Sequence, residues 1–208
     1  VRALVDGDTR LAYSSIIRDS RIDDLESKVD AMCVEFMVRH IPVAANLRFA
    51  DSVAKISLEL ERIGDYAESI NRQAIVLATA KNRPNLDKVE QLAGIAIDMV
   101  RQAVRSFLDD DIELARGAQS LDAKANRIHQ EIYLDLLGAH PEGPEDLSTL
   151  FSVLSVANRF ERVADQADNI CEEVLYIATG ENTRHTLTKD VRVLFVSPAS
   201  SGLGLMAE

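Results

Sequence analysis

The sequence predicts an all-α protein built from two tandem three-helix bundles. Three observations support this fold class. Glycine and proline are scarce among the 208 residues, at 9 and 5, and 47% of the residues are apolar, which suits long helices around a sizeable core. Apolar residues recur with helical spacing over long stretches. The same residue pattern also occurs twice, offset by 100 positions, which identifies an internal repeat.

The repeat is clearest in segments 53–80 and 153–180. Charged residues of the first segment recur in the second: Glu61, Arg62 and Asp65 recur as Glu161, Arg162 and Asp165. Both segments also carry apolar residues spaced alternately three and four apart: Val53, Ile56, Leu60, Ile63, Ala67, Ile70, Ala74 and Leu77, and then Val153, Val156, Phe160, Val163, Ala167, Ile170, Val174 and Ile177. This spacing predicts one long helix with a narrow apolar seam in each repeat.

A second apolar stripe precedes each of these long helices. Its members are Ile22, Leu25, Val29, Met32 and Phe36 in the first repeat, and Leu121, Ala125, Ile128 and Ile132 in the second. The stripe predicts a second amphipathic helix that packs against the first.

Turn-forming residues set the expected boundaries. Gly7 and Asp8 end the first helix, with Asp8 or Thr9 as the N-cap of the next, and Pro42 disfavours helix at Ile41. The predicted helices span 1–6, 9–40, 43–80, 86–108, 111–137 and 145–179. The corresponding domains are a first repeat at 1–80, a second at 81–181, and a linker with a short strand–loop tail at 182–208.

Charge and cysteine content exclude several classes of partner. The net charge of −11 makes double-stranded nucleic acid and anionic membrane surfaces poor partners. No run of about 18 apolar residues could form a membrane-spanning helix. Cys33 and Cys171 lie in apolar helical patterns and cannot form a disulfide framework, which favours a reducing, cytoplasmic location.

Acidic residues recur outside the apolar seams. The long helices carry Glu61 and Asp65 or Glu161 and Asp165, and the preceding helices carry Asp19 and Asp23 or Asp122 and Asn126. The pairs on neighbouring helices lie about equally far from the turn that joins those helices. Since an α-helix rises about 1.5 Å per residue, the pairs should lie at the same height in each hairpin.

Two interpretations of these acidic pairs remain open. They could be solvated faces of acidic helices, or they could bind a cation that reverses the repulsion between like charges one turn apart. No histidine lies near them, so oxygen ligands would favour Mg²⁺, Mn²⁺, Ca²⁺ or ferric iron. Arg62 and Arg162 flank the pairs, where each would either balance local charge or anchor a partner.

Several motifs resemble those of the PhoU family. Leu58–Asp65 and Arg159–Asp165 resemble its paired E-R-[IV]-[GA]-D signatures. Ile41–Arg48 resembles its QPVAxDLR turn, with Ile41 in place of Gln and Asn46 in place of Asp. Ile22–Glu26 resembles its IDxLE segment. The resemblance covers about residues 1–181 and implies two three-helix bundles.

The resemblance also implies a function and a metal site. It implies a cytoplasmic regulator of phosphate uptake that contacts the ATPase subunit of the phosphate ABC transporter and the phosphate-sensing histidine kinase. Whether the protein also forms a homodimer stays an open question. The resemblance implies that iron, Mn or Mg, mononuclear or multinuclear, binds through paired acidic motifs. The residues implied are Asp19, Asp23, Glu61 and Asp65 in the first repeat, and Asp122, Glu161 and Asp165 in the second, where Asn126 replaces an acid.

Two alternatives to a regulator stay open at this point. A carboxylate-bridged metal site in a helical bundle could catalyse hydrolysis or oxidation, although neither a histidine ligand nor a general base is visible in the sequence. A structural bundle that stores metal is the other alternative.

The two ends of the sequence carry separate expectations. Residues 1–6 resemble the end of the family's first helix, so that most of that helix would lie upstream of this sequence. Residues 191–208 resemble the start of low-molecular-weight tyrosine phosphatases and arsenate reductases. Ser197 stands where their nucleophilic Cys would be and Leu203 where their phosphate-binding Arg would be. The tail is therefore expected to be inactive.

Overall fold

The computed structural model describes residues 1–141 and 143–181, and every regular element in these residues is an α-helix. The helices in chain order are α1 (Arg2–Asp6), α2 (Thr9–Ile17), α3 (Ser20–His40), α4 (Ala45–Ala78), α5 (Asp87–Asp109), α6 (Ile112–Gln119), α7 (Asp122–Leu137) and α8 (Pro144–Thr179). The all-α fold class predicted from the sequence is confirmed. The tail, with Ser197 and Leu203, lies outside the described residues.

Two of the predicted helices are interrupted. The segment expected as one helix over 9–40 divides into α2 and α3, and the segment expected over 111–137 divides into α6 and α7. At the breaks, the amides of Arg21 and Lys124 bond the carbonyls three residues earlier, at 3.1 and 3.0 Å. Neither break contains a glycine or proline, so the composition of these segments did not reveal the tighter turns.

The predicted helix ends agree closely with the structure. The carboxylates of Asp8 and Asp111 accept hydrogen bonds from the amides of Leu11 and Leu114, at 3.0 and 2.9 Å, and so cap α2 and α6. α3 ends at His40, and its C-cap is Ile41, the position where Pro42 disfavours helix.

Helices α4 and α8 form the centre of the molecule and run antiparallel. Their direction follows from side-chain pairs along the seam: Ser52 bonds Glu173 near one end, and Ser69 bonds Arg159 farther along. Helices α1, α2 and α3 pack on α4, while α5, α6 and α7 pack on α8. A continuous apolar core joins the two repeats across this central pair, with members from Leu4 to Leu175. The division into separate domains stays a prediction.

The apolar seam predicted on α8 is buried. Its members Val153, Val156, Phe160, Val163, Ala167, Ile170 and Val174 are buried, and Ile177 is partly buried. Of the stripe predicted on α4, only Ile56, Ile70, Ala74 and Leu77 are buried, and Ala67 is exposed. The predicted stripe therefore does not form a continuous buried seam on α4. The five-residue α1 covers less of α4 than the 23-residue α5 covers of α8.

The stripe predicted on α3 is also largely exposed. Leu25 and Met32 keep 59% and 68% of their surface, and Phe36 lies at the edge of an open apolar groove. The corresponding residues of α7, Ala125, Ile128 and Ile132, are buried. The two repeats thus share a pattern of residues but differ in how completely their helices are covered.

No helix in residues 1–141 or 143–181 is long and apolar enough to cross a membrane. Cys33 and Cys171 are both free thiols and both are buried, as their apolar surroundings in the sequence predict.

Candidate metal centre

Three carboxylates meet beside the first helix break. Asp19 immediately precedes α3, Asp23 lies one turn farther along that helix, and Asp65 projects from α4. Carboxylate oxygens from these three residues all lie within 4.8 Å of one another. The structure thus brings together residues of two predicted pairs that are far apart in the sequence.

The helix break and a glycine make this approach possible. Asp19 is the N-cap residue of α3, but its side chain caps no amide, so its carboxylate can face α4. Gly64 lies directly opposite. A β-carbon at Gly64 would come within 2.9 Å of Ile22 Cδ1 and 3.1 Å of Asp19 Oδ1, closer than ordinary packing allows. Glycine at this position therefore leaves room for the Ile22 and Asp19 side chains against α4.

The first cluster concentrates negative charge. Desolvation raises the pKa of Asp19, and the carboxylates of Asp23, Asp65 and Glu68 raise it further. The pKa of Glu61 is also raised, first by desolvation and then by Asp65, Asp23 and Glu26, while Arg62 lowers it. A cation placed among these groups would relieve both the repulsion and the raised pKa values.

Glu61 lies at the margin of the first cluster. It interacts electrostatically with Asp65 and Asp23, but it is not among the three residues whose oxygens lie within 4.8 Å of one another. Reasoning from the sequence also missed Glu26 and Glu68, which contribute to the local negative charge. Their position three residues after Asp23 and Asp65 places them one turn farther on the same faces, and this spacing could have revealed them.

The second cluster has a different arrangement. The Asn126 amide donates to Asp122 Oδ2 at 2.8 Å, which holds these two α7 residues together. Arg162 lies beside both acids of α8, with Nε 3.6 Å from Glu161 Oε2 and Nη1 3.5 Å from Asp165 Oδ2. Among the described residues, no three acids, histidines or cysteines of this cluster come within 4.8 Å of one another.

Asp165 nevertheless has a strongly perturbed carboxyl group. Desolvation and the charge of Glu161 raise its pKa to about 6, against the lowering effect of Arg162, and Asp122 and Asp168 raise it further. The negative charge of the second cluster is therefore only partly balanced by the guanidinium group.

The residues of the two clusters fit a metal ion to different degrees. The first cluster offers carboxylate oxygens at close range, and no cationic side chain of residues 1–141 or 143–181 forms an ion pair with them, which suits a hard ion such as Mg²⁺, Mn²⁺ or ferric iron. In the second, Arg162 already lies against two of the would-be ligands, so the residues fit a bound metal poorly.

The fold and the acidic clusters together define a class of all-α protein. Two similar helical units pack through a central antiparallel pair, and each unit carries carboxylates where a broken helix approaches that pair. Residues 1–74 and 89–174 match the PhoU domain. The chain belongs to the PhoU family, as its motifs suggested.

Relatives and solved structures agree with this assignment. A phosphate-specific transport system accessory protein PhoU homolog from Pseudomonas putida is 33% identical over 186 residues, which cover 89% of this chain and 73% of the relative. The Escherichia coli K12 protein named phosphate-specific transport system accessory protein PhoU is 29% identical over 185 residues, covering 89% of this chain and 77% of that protein. These relatives are named as accessory proteins, and the names do not describe enzymes.

The crystal structure of PhoU from Pseudomonas aeruginosa superimposes with a TM-score of 0.83 at 30% sequence identity, covering 86% of this chain and 87% of that one. The phosphate transport system regulatory protein PhoU from Streptococcus pneumoniae gives a TM-score of 0.79 at 23% identity, covering 86% and 84% of the two chains, and supports the fold alone.

Proposed function

We propose that this protein is a cytoplasmic regulator of phosphate uptake and of the response to phosphate starvation. It would act by contact with the ATPase subunit of the phosphate transporter and with the phosphate-sensing histidine kinase. The observation that carries the proposal is the PhoU domain match across both repeats, together with relatives named as accessory proteins of a phosphate-specific transport system.

The proposal includes a metal ion in the first acidic cluster. Asp19, Asp23 and Asp65 would hold it, with Glu61 at the margin. When bound, a hard cation would neutralise the clustered carboxylates and connect α3 to α4 through ionic bonds. The close approach of oxygens from two helices supports this part of the proposal. Storage of metal by the bundle stays an alternative role for the same cluster.

A complementation experiment tests the regulatory function. A strain that lacks this protein should keep its phosphate-starvation genes switched on in excess phosphate, and the wild-type protein should restore repression. The variant Glu61→Gln/Asp65→Asn should restore repression less well and should carry less metal by elemental analysis. Normal repression in the deletion strain would show that the regulatory proposal is wrong.

A matched control removes the same charge elsewhere. Asp98→Asn/Glu113→Gln neutralises two exposed carboxylates of α5 and α6 that pair with Arg101 and Arg116, outside both clusters. This control variant should repress the genes and retain metal like the wild type. If both double variants lose metal equally, the bound ion depends on net charge and the assignment to the first cluster fails.

A further inference from the structure

Equivalent arginines of the two repeats contact different partners. Arg62 turns away from the first acidic cluster, and its Nη1 lies 3.2 Å from Glu59 Oε2. Arg162 instead reaches Glu161 and Asp165 within its own cluster, at 3.6 and 3.5 Å. Since the two arginines occupy the same place in the repeat, their neighbours must cause the difference.

The residue three positions earlier accounts for it. Glu59 is buried, accepts a hydrogen bond from Asn169 Nδ2 at 3.3 Å, and presents its carboxylate to Arg62 one turn away. The second repeat has Arg159 at that position. The Nε of Arg159 donates to Ser69 Oγ at 3.0 Å, and its guanidinium lies 5.9 Å from the centre of the Tyr66 ring.

Arg159 therefore offers Arg162 no anion. Because two guanidinium groups repel each other, Arg162 is favoured beside the acids on its other side, Glu161 and Asp165. The exchange of Glu for Arg at this one position changes which carboxylates the following arginine neutralises.

We propose that Arg162 is the built-in cation of the second acidic cluster, so that this repeat holds its carboxylates together without a metal ion. In the first repeat, Glu59 holds Arg62 away and leaves Asp19, Asp23 and Asp65 open to an external cation. The role of Arg162 in the second repeat does not depend on the metal site of the proposed function. Only the statement that the first cluster binds an external cation rests on it.

Two further substitutions agree with this division. Asn126 replaces the acid found at Asp23 in the first repeat, which leaves the second cluster one carboxylate fewer. Ala164 replaces Gly64, so the second repeat lacks the glycine that admits Asp19 to the first cluster. Both changes lower the affinity expected for a metal ion, and the first leaves Arg162 one carboxylate fewer to offset.

The first test uses metal-free protein at low salt near pH 8, where Asp165, with a pKa of about 6, is ionised. Arg162→Gln should lower the melting temperature by about 2 °C, because two ion pairs are lost and two carboxylates repel each other. In the Glu161→Gln/Asp165→Asn background, the same substitution should have no effect. A loss of equal size in both backgrounds would overturn the proposal.

Arg62→Gln provides the matched control for that cycle. Because Arg62 pairs with Glu59 and only weakly with Glu61, its effect on the melting temperature should change much less than that of Arg162 when its acidic pair is removed by Glu61→Gln/Asp65→Asn. If Arg62 couples to its acidic pair as strongly as Arg162 does, the proposed difference between the repeats is wrong. No metal is present in this cycle, so its result is independent of whether the first cluster binds one.

The second test asks whether Arg162 keeps cations out. The background variant Asp19→Asn/Asp65→Asn removes two of the three carboxylates that would bind metal in the first cluster. Mn²⁺ is then titrated into the chelator-treated protein, and the melting temperature is measured at each concentration. Adding Arg162→Gln should tighten the apparent Kd for Mn²⁺ by about tenfold or more. An unchanged Kd, or no response to Mn²⁺ in either protein, would show that Arg162 does not take the place of a cation. Failure of the metal proposal itself would instead appear as wild-type protein that binds no metal at its first cluster.

Discussion

Cys171 illustrates, at the scale of a single residue, how fully the second repeat encloses its core. The side chain has no exposed surface, and desolvation, with a smaller contribution from Asp168, raises the pKa of the thiol to about 12. Cys33 is 7% exposed and lines the open apolar groove between α3 and α4. The two cysteines therefore differ in access although both count as buried.

This difference predicts their reactivity toward an aromatic disulfide reagent at pH 8. Only a trace of Cys171 is thiolate at that pH. In the folded protein its thiol should therefore react about a thousandfold more slowly than an unperturbed cysteine thiol. Cys33 should react faster than Cys171, since it borders the groove. The variants Cys33→Ser and Cys171→Ser show which thiol gives the faster and which the slower phase of the reaction. In denaturant both thiols should react rapidly. Rapid reaction of Cys171 in the folded protein would contradict the enclosed core.

At the scale of the helices, the break between α2 and α3 determines the geometry of the first cluster. A continuous helix would carry Asp19 within its interior, whereas the break makes it the residue that precedes α3. The positive end of the α3 dipole then lies beside a group of carboxylates, which it helps to stabilise. The contact with α4 through Gly64 keeps this arrangement in place.

Gly64→Ala tests that contact. Alanine favours helix by about 1 kcal/mol, but its β-carbon would press on Ile22 and Asp19, and overpacking costs about 1–3 kcal/mol. We expect a net loss of up to about 2 kcal/mol in the free energy of unfolding, measured with urea, and partial recovery when Ile22→Ala makes room.

Gly94→Ala is the matched control on α5, where an added β-carbon would meet nothing within 4 Å. That variant should gain about 0.5–1 kcal/mol from helix propensity. If Gly64→Ala stabilises the protein as much as Gly94→Ala, the side chains of Ile22 and Asp19 do not confine position 64 in solution.

At the scale of the whole molecule, a polar layer in the seam between α4 and α8 couples the two repeats. Ser52 Oγ donates to Glu173 Oε2 at 2.7 Å, and both side chains are buried. Lys55 lies 3.7 Å from the same carboxylate and 5.8 Å from the centre of the Tyr176 ring. These contacts join residues from different repeats and fix the register of the central pair.

Ser52→Ala should reveal how much this coupling contributes. Removing a buried donor to a carboxylate should lower the free energy of unfolding by about 1.5–3 kcal/mol. Ser106→Ala is the comparison: Ser106 is equally buried, but its hydroxyl bonds the carbonyl of Ala103 within its own helix. Ser106→Ala should lower the free energy of unfolding by less than about 0.5 kcal/mol, because alanine also favours the helix. If both variants lose the same free energy of unfolding in urea, the hydrogen bond between the repeats contributes no more than the one within α5.

The residue pattern was sufficient to predict the all-α class, the internal repeat and most helix ends. Helical periodicity and capping depend on residues close in sequence, which explains why Asp8 could be named as a candidate N-cap. The acidic pairs could be found in the same way, because spacing and hairpin length determine their height along the helices.

Other features depended on contacts between distant segments, and only the tertiary structure decided them. Which faces of α3 and α4 are covered depends on neighbouring helices, so the repeated stripe could not distinguish exposed Ala67 from buried Ala167. Likewise, the sequence placed an arginine beside each acidic pair but could not say which carboxylate it contacts. Rotation about the helix axis and competition from Glu59 or Arg159 decide that outcome, and both are set by side-chain packing in three dimensions.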